Sequence, residues 1–101
     1  MIAVITGATS GIGRAIAFHL AEHGYDLILT GRRKKLLEEL SQTLAAGFGI
    51  RVLPLCFDIR KKEEAEKYLG HLPDDWQEID VLINNAGLAA GFHPIHEGDI
   101  S

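Results

Sequence analysis

Ile2-Ala3-Val4-Ile5-Thr6-Gly7-Ala8-Thr9-Ser10-Gly11-Ile12-Gly13 begins as an apolar run and breaks into a glycine loop. It continues as a helix-patterned segment, Arg14-Ala15-Ile16-Ala17-Phe18-His19-Leu20-Ala21. A strand that turns through glycines into a helix gathers backbone N–H groups and the positive end of a helix dipole at one point. That arrangement receives phosphate. Side chains in the turn would block a pyrophosphate and forbid the positive φ angles needed there. Residues Gly7, Ala8, Thr9, Ser10, Gly11, Ile12 and Gly13 are therefore the first candidates for a nucleotide site.

The same alternation continues along the chain. Apolar strand patterns cover residues 2–6, 25–30, 50–57 and 80–84, and helical patterns cover 13–23, 32–46 and 61–69. Gly24 closes the first helix, Gly47 and Gly49 the second and Gly70 the third. A loop with Pro73 and Trp76 precedes the fourth strand, and residues 88–101 read as loop. Strands alternating with helices require right-handed crossovers and a parallel sheet covered on both faces. The expected fold is α/β: the first half of a doubly wound, Rossmann-type parallel sheet with strand order 3-2-1-4.

Composition narrows the class of partner. At 101 residues the chain is one domain or part of one, and 47% hydrophobic with 24% charged residues is ordinary for a globular protein. A net charge of −4 argues against nucleic acid as a partner. No apolar run approaches the roughly 20 residues that cross a bilayer, so no membrane is expected. One cysteine, Cys56, excludes an internal disulfide and fits a reducing cytoplasm.

The spacing Gly7-x3-Gly11-x-Gly13 departs from the Gly-x-Gly-x-x-Gly dinucleotide fingerprint, because the position of its third glycine falls on Ile16. Two further motifs accompany it: Asp58-Ile59 after the third strand, and Asn84-Asn85-Ala86-Gly87 ending the fourth. Together the three resemble the short-chain dehydrogenase/reductase family, from residue 1 to at least Gly91. More narrowly, Gly31-Arg32-Arg33 and the run from Leu72-Pro73 through Trp76 to Ala89 resemble its NADP-dependent 3-hydroxy acid (serine-type) dehydrogenases.

The choice of dinucleotide also follows from charge. NAD-binding folds place an acidic side chain roughly 20 residues past the glycine loop, against the adenosine ribose. Here the second strand ends Thr30-Gly31-Arg32-Arg33. No carboxylate repels a 2′-phosphate, and two guanidinium groups can hold it by charge-assisted hydrogen bonds of about 1.5–3 kcal/mol each. The bland alternative is a solvated helix start. Basic residues oppose the dipole there, which favours a functional reason for Arg32, while for Arg33 both readings stay open. The expected cofactor is NADP.

The resemblance implies further roles. Asp58 would meet the adenine amino group with Ile59 backing the ring, and Asn85, Ala86 and Gly87 would line the adenosine ribose. Plainer readings remain open: Asp58 as a cap for the helix from Arg60 onward, and the asparagines as turn formers. His93 and His96 lie near Glu97 and Asp99, but the loop lacks a cysteine and Pro94 disrupts the helix that would align them, and His19 and His23 lack a third ligand and read as helix surface, so no metal site is expected. Cys56 and Trp76 read as packing residues, and the run 60–67 as a solvated face with a Glu63–Lys67 pair.

No catalytic residue is found. The family's proton chemistry belongs to a tyrosine with a lysine four residues on and a serine; here Tyr25 is followed by Leu29 and Tyr68 by Leu72, and neither tyrosine is placed at the carboxyl edge. Residues 1–101 are therefore expected to be an incomplete NADP-binding domain, truncated before the catalytic half. Alone it would be inactive, marginally stable or self-associating through an exposed fourth strand. A small alcohol, carbonyl or 3-hydroxy acid would be bound only with that half supplied. The competing reading is a non-catalytic NADP-binding or regulatory module.

Overall fold

The computed structural model describes residues 1–85. Its elements are strand β1 (Ile2–Thr6), helix α1 (Gly11–Glu22), β2 (Asp26–Gly31), α2 (Lys34–Phe48), β3 (Val52–Cys56), α3 (Lys62–Leu69), a 3-10 turn (Asp74–Trp76) and β4 (Val81–Asn84). The sheet runs β3-β2-β1-β4 and every pairing is parallel. Ile5 stands beside Leu29 on one side and Ile83 on the other.

Both faces of β1 are covered. Ala3 and Ile5 join Leu27, Leu29 and Ile83 under α1 and α2, which contribute Ala17, Ala21, Leu37, Leu40 and Leu44. On the opposite face Ile2, Val4 and Ile28 pack with Leu72 and Trp76. Each fully buried Leu or Ile stabilises by about 1.5–3 kcal/mol relative to exposure, so the centre of the sheet is the firm part. Pro54, which cannot donate to a ladder, is exposed on β3, a strand paired on one side only among the described residues. β4 is likewise paired on one side there, and Leu82 is 52% exposed.

Four sequence expectations shift. Helix α1 starts at Gly11, because Ser10 serves as its N-cap and accepts from the Gly13 N–H. Helix α2 starts at Lys34, leaving Arg32 and extended Arg33 in the connection. It also runs through Gly47 and stops at Gly49, which takes the left-handed conformation at φ 68°. The Glu63–Lys67 pair is not formed. Lys67 lies 5.6 Å from the Tyr68 ring centroid, and the ion pair of this segment is Lys61–Glu64 at 3.7 Å.

Candidate functional site

The carboxyl ends of the strands open into a cavity of about 470 Å³. Its walls are Gly7, Thr9, Ser10, Gly11 and Ile12 of the glycine loop, residues 30–33 after β2, residues 57–60 after β3, and Asn85 after β4. Sequence position and spatial position therefore agree: the loop, the arginine pair and the Asp58 segment are brought to one edge.

The loop is shaped by the chain itself. Gly7 has φ 65°, a region that disfavours side chains. The Ser10 hydroxyl donates to the Gly7 carbonyl at 2.9 Å and accepts from the Gly13 N–H and from Asn85 Nδ2 at 2.7 Å. Asn85 Nδ2 also donates to the Gly7 carbonyl at 3.0 Å. A Cβ on Gly13 would collide with that carbonyl and lie 2.6 Å from Asn85 Nδ2. Gly11 differs: a Cβ there would meet no protein atom within 4 Å, so the space in front of it is open. The N–H groups of Gly11 and Ile12 have no acceptor among the described residues, as expected of a first helical turn. Ala8 stands behind the cavity, fully buried, and its N–H donates to the Thr30 carbonyl at 2.9 Å. Gly13 is also buried behind it.

Two buried polar atoms at this edge lack partners among the described residues, Asn85 Oδ1 and Thr30 Oγ1. Arg32 and Arg33 are exposed and form no ion pair there. An open glycine cradle, free N–H groups and unpaired guanidinium groups suit a dinucleotide carrying an additional phosphate.

Across the cavity, Asp58 is engaged by Arg60. Its Oδ1 accepts from the Arg60 backbone N–H at 3.0 Å and from Nε at 3.1 Å, and its Oδ2 accepts from Nη2 at 3.1 Å. These side-chain and backbone hydrogen bonds, helped by the charges of Arg60 and Arg32, hold the Asp58 carboxyl down to about 2. The expected cap is thus an Asp58–Arg60 turn, and α3 itself begins two residues later without a side-chain cap. The Asp58 N–H donates to Glu64 Oε1 at 3.3 Å.

Sequence reasoning missed four lining residues: Thr30, Gly31, Phe57 and Arg60. The Phe57 ring stacks on Tyr68 at 4.8 Å and 6°, which brings Tyr68 to one ring behind the cavity wall. Cys56 is half-buried, its thiol 3.6 Å from the Arg32 carbonyl oxygen. Ala86, Gly87, His93 and His96 lie outside the described residues. Among those described, no group of three or more His, Cys, Asp or Glu could hold a metal, and no helix is long and apolar enough to cross a membrane.

The family model described as short chain dehydrogenase matches residues 1–101. The chain is 47% identical over 98 residues to a probable NADP-dependent dehydrogenase of Haemophilus influenzae, covering 97% of this chain and 37% of that one. It is 42% identical over 100 residues to the NADP-dependent 3-hydroxy acid dehydrogenase YdfG of Salmonella typhimurium, covering 99% of this chain and 39% of that one. Among solved structures it resembles L-sorbose reductase from Gluconobacter frateurii complexed with NADPH and L-sorbose. That match has a TM-score of 0.79 and 37% identity over 85% of this chain and 33% of the reductase. The chain spans about a third of the length of these relatives. With the glycine loop, the Asp58 segment and Asn85 gathered at one sheet edge and the family match running from Met1 to Ser101, the chain belongs to the short chain dehydrogenase family.

Proposed function

We propose that residues 1–101 form the NADP-binding part of an oxidoreductase that moves hydride between NADP(H) and a small alcohol or carbonyl. A 3-hydroxy acid is the substrate class, in keeping with the name of the Salmonella relative. The observation that carries the reading is the unpaired Arg32–Arg33 pair at the lip of the glycine-loop cavity, with no carboxylate ending β2. In this reading the N–H groups of Gly11 and Ile12 hold the diphosphate bridge, and Thr9 and Ser10 wall it. Ala8 and Gly13 support the loop from behind. Arg32 and Arg33 clamp the 2′-phosphate. Asp58 and Ile59 receive the adenine, and Asn85, Ala86 and Gly87 border the ribose.

NADP, when bound, supplies the hydride chemistry; the chain's own residues bind and orient it. Neither Tyr25 nor Tyr68 carries a lysine at the fourth position beyond it. Proton transfer is accordingly assigned to residues outside 1–101, and the chain alone is assigned no turnover. The single half-buried Cys56 suits a reducing compartment, and the cytoplasm is the proposed location. Calorimetric titration tests the reading: NADPH should bind at least tenfold more tightly than NADH, a ratio equal to about 1.4 kcal/mol. Equal affinity for the two, or no heat with NADPH from folded chain, rejects it.

A further inference from the structure

We propose that Lys34 and Lys35, which form no part of the cavity wall, steer the anionic dinucleotide toward it, setting how fast the ligand arrives rather than how long it stays. The inference rests on the cavity being the NADP site.

Charge is spread unevenly along the chain. Residues 32–35 and 60–62 hold seven of its ten lysines and arginines, and Asp58 is the only acid within 30–35 and 57–62. These two stretches follow the carboxyl ends of β2 and β3 and supply Arg32, Arg33 and Arg60 to the cavity wall. The remaining sequence carries three basic and thirteen acidic residues. A chain of net charge −4 thus concentrates positive charge beside the cavity mouth. Part of it is answered locally, since Asp58 pairs with Arg60 at 3.1 Å and Glu64 with Lys61 at 3.7 Å. Lys34, Lys35 and the two lip arginines before them are exposed and form no ion pair among the described residues.

Helix α2 gains nothing from these lysines. Cations at a helix N-terminus oppose its dipole. The first turn of α2 has no acid to offset them, and its N-cap, Arg33, makes no side-chain cap bond. Helix α3, by contrast, carries Glu63 and Glu64 in its first turn. Glu38 and Glu39 stand one turn beyond the lysines on α2, yet neither closes an ion pair with them. A placement that works against its own helix finds its use in the field it projects. Charge of one sign around a cleft raises the arrival rate of an oppositely charged ligand by about 10- to 1,000-fold. A diphosphate with an added 2′-phosphate is such a ligand.

The test is stopped-flow binding of NADPH to the chain across a salt series. Between about 10 mM and about 1 M ionic strength the Debye length falls from about 30 Å to about 3 Å. Over that range the native association rate constant should drop by about tenfold or more. Lys34→Glu combined with Lys35→Glu should slow association by roughly tenfold at low salt and flatten the salt dependence. Dissociation should stay within about twofold, and the melting temperature should rise as the conflict with the dipole is relieved. Lys35→Gln alone should slow association by about twofold. Lys67→Gln removes the same charge from the last turn of α3 and should slow it by less. Residues that hold the bound ligand would instead speed dissociation when replaced. That result, or a native association rate indifferent to salt, overturns the steering. If the native chain binds NADPH no better than NADH at equilibrium, the cofactor reading itself has failed. If it prefers NADPH and the double variant associates at the native rate, the role of the lysines alone has failed.

Discussion

The two edges of the sheet are finished differently. At the amino edge the chain completes its own bonding. Asp26 accepts from the Arg51 backbone N–H at 3.0 Å, from Nε at 3.2 Å and from Nη2 at 3.1 Å. The same guanidinium lies 3.9 Å from Asp75 and 4.7 Å from the Trp76 ring centroid. The Ile2 N–H donates to Asp80 Oδ2 at 2.8 Å, and the Asp80 N–H returns to the Ile2 carbonyl at 2.8 Å. At the carboxyl edge, Asn85 Oδ1, Thr30 Oγ1 and the first N–H groups of α1 wait without partners among the described residues. Unmade hydrogen bonds at buried groups are destabilising by about 1–3 kcal/mol each. One edge therefore closes the fold, and the other is left for a ligand to complete.

That contrast is most sharply broken by Gly13→Ala. The added Cβ would strike the Gly7 carbonyl and Asn85 Nδ2, backbone and a buried side chain that cannot yield cheaply. We expect NADPH binding to vanish from calorimetry and stability to fall by about 1–3 kcal/mol, read as a lower melting temperature. Arg32→Ala comes next: NADPH affinity should drop by roughly 10- to 100-fold and NADH affinity by less than about twofold, measured by titration.

Arg51→Ala should act in the opposite sense, leaving cofactor affinity untouched while lowering stability by about 1 kcal/mol, since the Asp26 pair is exposed. It should also change the acid limb. Burial pushes the Asp26 carboxyl up, but hydrogen bonds and charge from Arg51 outweigh it, so the net displacement is downward. A carboxyl lowered on folding stabilises above its ordinary value of 3.8, and that stability is lost as pH falls through the lowered value. The gap in melting temperature between Arg51→Ala and the native chain should therefore narrow as pH falls below the ordinary value of 3.8. The smallest effect is expected of Thr30→Val, which removes a buried hydroxyl that has no partner among the described residues. Stability should stay within about 1 kcal/mol or rise, as denaturant unfolding would show.

Strand order and helix placement were legible because β1 and β2 are apolar on both faces and each glycine boundary interrupts a clear period. The edges of elements were less so. Arg32 and Arg33 carry helix-compatible side chains, yet Arg32 sits in a bend and Arg33 is extended before α2, where they reach the cavity. Gly47 reads as a stop only until Gly49 is seen to take the left-handed turn. Arg60 was hidden inside a charged run that looks like solvated helix. Its signal was the two-residue spacing from Asp58, which suits a carboxylate folding back on the next N–H but one. Phe57 and Thr30 lie in strand-like context, and only the three-dimensional edge shows that they also border the cavity.

The amide of Asn85 reaches across 78 positions of sequence to Gly7 and 75 to Ser10. A loop whose lock is so far downstream cannot take its final shape early in synthesis, since distant closures form late in folding. Affinity for a ligand should thus emerge abruptly, after the fourth strand has left the ribosome and docked, rather than growing as the first helix appears.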